Sequence, residues 1–152
     1  MILCANEIAY LALQGWGSTT QPDGTPNALI AIAVCYGESG GETNAIGQNV
    51  ESDKVTTASQ DLGLWQINNY WHAAKLARTP AWRDPWVALS LAVQCFEEAK
   101  GTWKPWHAFT GGIYLKHLAK ARQGLRTPFP PPGGTPTPAT RAHLQLPPLP
   151  VV

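Results

Sequence analysis

One apolar stretch, residues 25–41, limits the folds open to this chain more than any other part of the sequence. Thr25 is a good N-cap and Pro26 suits the first helical position, while Gly40 and Gly41 would end the helix. Apolar residues lie on most sides of the helix between these signals: Ala28, Leu29, Ile32, Ala33 and Tyr36. A helix that is apolar around its girth must be buried, so we predict a central helix with Glu38 in its last turn.

Three further helices are predicted around this central one. The first spans Asn6–Gln14, where apolar residues recur at helical spacing. Asp84 and Pro85 form another cap-and-proline start, and a last helix spans Gly112–Gln123. Residues 42–60 are polar, small and irregular, which predicts a short sheet or an active-site loop. The predicted fold class is therefore mainly α with a small irregular or β-like region.

The composition changes abruptly after Arg126. Nine of the fourteen prolines lie between Thr127 and Val152. Because proline lacks the backbone N–H that helices and sheets need, we predict one domain at 1–126 and an extended, proline-rich tail or linker at 127–152, without a helix or strand. Its leucines are expected to pack against a partner: Leu144, Leu146 and Leu149.

Charge and cysteine spacing argue against several classes of function. The formal net charge is +1 and the basic residues form no cluster, so no nucleic-acid partner is expected. Cys4, Cys35 and Cys95 form no CxxC pair, and no histidine stands at ligand spacing from them. Neither a metal nor another cofactor is predicted. The odd count allows either one disulfide and a free thiol or three buried thiols, and we favour three reduced, buried thiols.

Glu38 is the clearest candidate for a catalytic side chain. Burial disfavours the charged form of a carboxyl group, which raises its pKa and makes it a proton donor near neutral pH. Cleavage of a glycosidic bond needs such a donor, because the leaving oxygen must be protonated as the C–O bond breaks. A glutamate in a last helical turn can equally point to solvent without a role. The histidines at 72, 107 and 117 are too dispersed for a catalytic triad and receive no role.

Two motifs around Glu38 carry a resemblance to a known family. Residues 31–41 read AIAVCYGESGG, and residues 63–68 read GLWQIN. With GTWKPW at 101–106, they resemble the lysozyme-like superfamily of soluble lytic transglycosylases and goose-type lysozymes, in the variant found in phage lysins and tail-associated murein hydrolases. The resemblance covers about residues 3–122 and implies a lysozyme-like fold whose central helix carries the catalytic glutamate, Glu38.

The resemblance also implies a set of substrate-binding residues: Trp65, Gln66, Asn68, Phe109 and Trp106. Gln66 could bind the N-acetyl or hydroxyl groups of a sugar, or hold its loop as a satisfied amide. Trp65 and Trp106 could line the cleft, or fill the core. The family often has tyrosine where Phe109 stands, so a hydroxyl contact with the reacting sugar is missing here.

The reaction type depends on whether a second carboxylate takes part. A hydrolase needs a base that positions water, whereas a lytic transglycosylase lets the substrate's own hydroxyl close a 1,6-anhydro ring. Asp61, just before residues 63–68, is the best candidate base, and a loop cap is its alternative role. The other candidates are Glu42, Glu51 and Asp53.

The sequence thus predicts an enzyme that cleaves the β-1,4 bond between N-acetylmuramic acid and N-acetylglucosamine in peptidoglycan glycan strands. The alternative is a weakly active or inactive glycan-binding component of a phage particle. The chain start lacks a signal sequence, and no run reaches the roughly 20 apolar residues of a membrane span. We therefore expect action on the bacterial wall from a virion or after release into the host envelope, with the tail contacting phage structural proteins.

Overall fold

The computed structural model describes residues 1–49 and 59–149, which form helices around one small antiparallel sheet. The α-helices are α1 (Ala5–Trp16), α2 (Asn27–Ser39), α3 (Ala73–Arg78), α4 (Pro85–Glu98), α5 (His107–Thr110), α6 (Leu118–Arg126) and α7 (Pro138–His143). A 3-10 helix at Ile113–His117 precedes α6, and the strands are β1 (Ile46–Asn49), β2 (Ser59–Leu62) and β3 (Ile67–Asn68). The predicted mainly α fold class is confirmed.

The central helix is α2, as its composition predicts. Every residue from Asn27 to Tyr36 is buried, and α1 and α6 pack against it. The helix begins two residues after Thr25, and Pro26 occupies the cap position without a side-chain hydrogen bond, so the predicted Thr25 cap is wrong. Thr25 instead belongs to a turn, in which its N–H donates to Asp23 at 2.9 Å.

The remaining helices follow the predicted pattern with one difference. α1 spans slightly more than the predicted range, and α4 begins where expected, with Asp84 accepting from the N–H groups of Trp86 and Val87 at 2.8 and 3.2 Å. The single helix predicted over Gly112–Gln123 is divided, because the chain runs as a 3-10 helix before α6 begins at Leu118. No helix in the described part of the chain combines the length and apolarity needed to cross a membrane.

Aromatic rings fill the core between α1, α4 and the loop after it. Neighbouring centroids lie 4.9 to 5.9 Å apart in a cluster of Trp16, Trp65, Phe96, Trp103 and Trp106. Large side chains of this kind dominate the free energy of core burial. Most of the seven tryptophans are therefore explained by packing.

The sheet lies within and just after the region predicted to be irregular or β-like. Its three strands run antiparallel in the order β1-β2-β3. Asp61 of β2 is the cross-strand partner of Asn68 in β3, and of Gly47 in β1. The sheet thus sets one sequence-predicted site residue directly opposite another.

The proline-rich segment contains a helix, so the expectation of a tail without one is wrong. Thr137 caps α7 by accepting from the N–H of Thr140 at 3.2 Å, and Pro138 takes the first position, where its missing N–H costs nothing. Leu144 and Leu146 are buried in the chain's own core, whereas Leu149 is 52% exposed.

Hydrogen bonds tie this segment to α1 and α4. The guanidinium of Arg141 donates to the side-chain oxygen of Gln14 at 3.0 Å and to the carbonyl of Pro147 at 2.6 Å. The indole N–H of Trp86 donates to the carbonyl of Gly134 at 2.8 Å. The segment 127–149 therefore packs on the helical domain over much of its length. The domain boundary at 126 stays a prediction.

Candidate active site

Glu38 stands in the last turn of α2, which ends because Gly40 adopts a left-handed conformation with φ +64°. The carboxylate is half-buried, and its Oε1 accepts a hydrogen bond from the N–H of Ala108 at 2.9 Å. Ala108 belongs to α5, which is 70 residues further along the chain. The candidate acid is thus held by the backbone of a distant short helix.

Gly37 makes this approach of α5 possible. A Cβ built at Gly37 would lie 2.8 Å from the Cβ of Ala108 and 3.3 Å from Ile113. A separation of 2.8 Å is well inside ordinary carbon–carbon contact, so any larger residue would push α5 away from Glu38. Close packing against α5 therefore explains why a glycine stands at position 37, immediately before the ESGG residues at 38–41.

Ser39 connects the end of α2 to the segment that carries the cleft residues Gln66 and Ile67. Its hydroxyl lies 2.7 Å from the carbonyl of Leu64 and donates to it, and it accepts from the N–H of Gly41 at 3.2 Å. Leu64 belongs to the GLWQIN segment at 63–68. The two motifs that carry the resemblance are therefore joined directly by a hydrogen bond.

Asp61 faces the same cleft as Glu38. Its Oδ1 accepts from the side-chain amide of Asn68 at 2.8 Å, and its Oδ2 accepts from that of Asn49 at 3.1 Å. Each carboxylate oxygen thus has an amide donor, which holds the carboxylate in a defined orientation. The two acidic residues and two binding candidates, Gln66 and Asn68, line a cleft of about 370 Å³.

Gln66 is at the cleft wall with its side-chain amide committed to the loop. The backbone is left-handed at φ 51°, and the side chain donates to the carbonyls of Gly63 and Ala45 at 2.9 and 3.2 Å. This geometry supports the loop-holding alternative for the amide nitrogen.

Trp65 lies away from the cleft, because it is completely buried and its indole N–H donates to the carbonyl of Ala31 at 3.0 Å. Trp106 is 3% exposed and donates to the carbonyl of Trp65 at 2.9 Å, while one edge reaches the cleft wall. Phe109 stacks on Tyr114 with centroids 4.8 Å apart and is not among the cleft-lining residues. Of these three predicted binding residues, the structure brings only Trp106 to the cleft.

Residues 19–108 match the sequence model of a family described as Lysozyme like domain. The match spans more than half of the chain and includes Glu38, Asp61 and all of residues 63–68. The chain belongs to the lysozyme-like domain family. No curated protein and no solved structure shows a match to it. Membership of the family indicates an activity related to peptidoglycan in general, and so a peptidoglycan substrate in the bacterial wall.

The electrostatics of this lysozyme-like domain suit a proton donor. Burial raises the pKa of Glu38, and the nearby charge of Asp61 raises it further. The hydrogen bond from Ala108 and the charge of His107 act in the opposite direction, but the net pKa lies above the ordinary glutamate value of 4.5. Glu38 therefore keeps its proton up to a higher pH than a glutamate in water does.

Among the other candidate carboxylates, Glu42 does not join Glu38. Glu42 is paired with the N-terminal ammonium group at 2.7 Å and is not among the cleft-lining residues. Glu51 and Asp53 lie outside the described residues. Asp61 is the candidate base that the described part of the domain places at the cleft.

The cleft is also lined by residues without a predicted role: Ile67, Trp71, His72, Cys95, Pro105 and His107. The sulfur of Cys95 lies 3.7 and 3.8 Å from the two ring nitrogens of His72. Burial raises the pKa of Cys95 to about 12 and lowers the pKa of His72. A thiol of that pKa carries almost no thiolate at neutral pH, so this pair is not an activated nucleophile.

The structure leaves all three cysteines unpaired. Cys35 and Cys95 are buried as expected, but Cys4 is exposed next to α1, so that part of the expectation is wrong. Across residues 1–49 and 59–149 there is no group of three or more His, Cys, Asp or Glu side chains arranged to hold a metal ion.

Proposed function

We propose that this domain cleaves the β-1,4 bond between N-acetylmuramic acid and N-acetylglucosamine, with Glu38 as the general acid. The observation that carries the proposal is Glu38 itself: a half-buried carboxyl group with a raised pKa, opening on a cleft. Such a group is still partly protonated at a pH where a solvent-exposed glutamate has lost its proton. It can then donate to the glycosidic oxygen as the C–O bond breaks.

Asp61 is proposed as the second carboxylate. It opens on the same cleft, and its two amide hydrogen bonds fix its oxygens while leaving lone pairs for a water molecule. In a hydrolytic route Asp61 would orient that water towards the sugar carbon. In a lytic transglycosylase route it would only stabilise the positive charge that develops on the ring, and the substrate's own hydroxyl would attack.

The test is mass spectrometry of the fragments released from purified peptidoglycan. The wild-type protein should release muropeptides, and Glu38→Gln should release at least about 100-fold less, as expected for loss of a general acid. Glu97→Gln is the matched control, because Glu97 is an exposed carboxylate outside the cleft. A Glu38→Gln variant as active as Glu97→Gln would refute the role of Glu38.

Asp61→Asn separates the two reaction types. Reducing ends in the products, and their loss in Asp61→Asn, would establish a hydrolase with Asp61 as its base. Anhydromuramic ends would establish a lytic transglycosylase, for which we expect a smaller effect of Asp61→Asn.

A second candidate function is glycan binding without cleavage, in a structural component of a phage particle. Phe109 favours it, because its ring is stacked on Tyr114 and offers no hydroxyl to a reacting sugar. Binding of glycan strands without any released product, unchanged by Glu38→Gln, would support this function over the first. Delivery to the wall in a virion or by lysis belongs to both proposals, as does contact of the tail with phage structural proteins.

A further inference from the structure

One large aromatic side chain beside the cleft is mostly exposed to solvent. Trp71 is 77% exposed and lines the cleft that contains Glu38 and Asp61. The other six tryptophans are buried or half-buried: Trp16, Trp65, Trp82, Trp86, Trp103 and Trp106. Trp71 is therefore the most exposed of the seven indoles, and its face is available to a ligand.

The backbone of Trp71 is held in place by Asn68. The side-chain oxygen of Asn68 accepts from the N–H groups of Tyr70 and Trp71 at 2.9 and 3.1 Å. Its amide nitrogen donates to Asp61 at 2.8 Å and to Ser59 at 3.2 Å. Two lone pairs and two N–H groups are all that an asparagine side chain has, so Asn68 has no free capacity to bind substrate.

Tyr70 supports the indole from the side. The two rings meet edge to face, with centroids 5.0 Å apart and planes at 86°. Edge-to-face packing is one of the favoured arrangements of an aromatic pair, so this contact stabilises the exposed ring. Trp71 is thus held by a backbone anchor and a side-chain contact while its face stays open.

We infer that Trp71 is a sugar-binding residue, and that Asn68 is the positioning residue that fixes it relative to Asp61. The ligand class is an N-acetylhexosamine ring of a β-1,4-linked glycan. Such a ring has an apolar C–H face that suits an indole, and an edge of hydroxyl and N-acetyl groups that suits the polar cleft wall. The inference rests on the proposed function for its choice of glycan and assigns Asn68 a different role from direct substrate binding.

The first test uses the fluorescence of Trp71 in the full-length Glu38→Gln protein, which should bind glycan without cleaving it. The probes are tetra-N-acetylchitotetraose and peptidoglycan glycan strands freed of their stem peptides. Because Trp71 is the most exposed tryptophan, either probe should shift the emission to shorter wavelength and reduce quenching by acrylamide. The same shift should be absent when Trp71→Phe is added to Glu38→Gln.

The second test measures steady-state cleavage of glycan strands by variants of the active protein. Trp71→Ala should raise KM about tenfold, as expected if a sugar ring covers roughly 50 Å² of the indole, with little change in kcat. Trp71→Phe should recover much of the loss, because it keeps an aromatic face. Phe129→Ala is the control, since Phe129 is an exposed aromatic residue in the C-terminal segment.

Two substitutions of Asn68 separate the contacts of its oxygen from those of its amide nitrogen. Asn68→Asp keeps oxygens for the N–H groups of Tyr70 and Trp71 but sets a second carboxyl group against Asp61 in place of the amide donor, so it should lower kcat and preserve the fluorescence response. Asn68→Ala removes both sets of contacts and should lower kcat and raise KM together. A residue with a merely structural role would not show this difference between the two variants.

The inference is overturned if both glycan probes leave the quenching of Trp71 unchanged, or if Trp71→Ala keeps the wild-type KM. It is also overturned if free stem peptide protects Trp71 as well as the glycan does. These outcomes are distinct from a failure of the proposed function. A protein that releases no muropeptide, yet whose Trp71 is protected by glycan, would retain the sugar site and lose the enzymatic role.

Discussion

The contact between Gly37 and Ala108 offers a sharp test of how the site is built. In Gly37→Ala, the new Cβ would meet the Cβ of Ala108 at 2.8 Å and Ile113 at 3.3 Å. Helix α5 must move outwards to relieve the first contact, and the hydrogen bond from Ala108 to Glu38 lengthens or breaks. Overpacking of this kind costs about 1–3 kcal/mol, or about 2–12 °C in Tm for a chain of this size.

The same substitution should change the titration of Glu38 in a defined direction. The hydrogen bond from Ala108 stabilises the carboxylate and lowers its pKa, so its loss should raise the pKa of Glu38 further above the ordinary value. In the proposed mechanism Glu38 acts in its protonated form, so activity should fall as pH rises through this pKa. The alkaline limb of kcat/KM against pH should therefore move to higher pH in Gly37→Ala.

Carbon-13 NMR of the glutamate carboxyl groups would follow the pKa directly, and circular dichroism would follow Tm. The matched control is the double variant Gly37→Ala with Ala108→Gly, which removes the clashing Cβ from the other side. It should recover most of the Tm, apart from about 0.5–1 kcal/mol for glycine in a helix, and return the titration towards wild type. A single variant with unchanged Tm and titration, or a double variant without recovery, would refute the packing argument.

Three further substitutions test other parts of the molecule. Glu38→Gln should be more stable than wild type to urea at pH 7. Because the pKa of Glu38 is raised in the folded state, the contribution of its protonated form to stability is complete below pH 4.5 and is lost as pH rises through the folded-state pKa. The difference between the variant and wild type should therefore vanish in acid. Leu144→Ala should lower the free energy of unfolding in urea by about 2–5 kcal/mol, because Leu144 is buried. Leu149→Ala, at an exposed leucine, should change it by no more than about 0.5 kcal/mol. Equal effects of the two substitutions would contradict the packing of the tail. Asp84→Ala should cost about 1 kcal/mol by removing the cap of α4, and an unchanged urea midpoint would argue against that cap.

Local signals account for the parts of the fold that the sequence predicts well. The buried α2 follows from apolar residues on every side, and the start of α4 follows from Asp84 and Pro85. Both depend on contacts within a few residues, which composition and spacing reveal. The position of Glu38 at the end of α2 follows from the same signals together with Gly40.

Contacts between distant segments account for most of what the sequence does not predict. The proline-rich segment was expected to be an extended arm, yet Leu144 and Leu146 are buried in the domain's own core and Arg141 bonds to α1. Proline content describes the local backbone, but it does not reveal an apolar surface elsewhere that is available for packing. The local signal for α7 is Thr137, which can cap a helix, followed by Pro138, which suits the first helical position.

In the candidate site, too, local signals predict some features and contacts between distant segments decide the others. Glu38 and Asp61 were predicted from type and position, and both open on the cleft. The placement of Trp65 in the core and the saturation of Asn68 depend on hydrogen bonds that spacing cannot show. Trp71 had a signal, since it is an aromatic residue just beyond the motif at 63–68, but nothing local distinguishes an exposed indole from a buried one.

The three consecutive residues at 37–39 explain why a short motif can define the site. Gly37 lets α5 approach closely enough for the N–H of Ala108 to reach the candidate acid, and Ser39 donates to the carbonyl of Leu64 in the segment at 63–68. Two segments that contribute cleft-lining residues thus contact the residues on either side of Glu38. A change at either neighbour should alter the environment of the carboxyl group without touching it, which is why the motif constrains more than the acid alone.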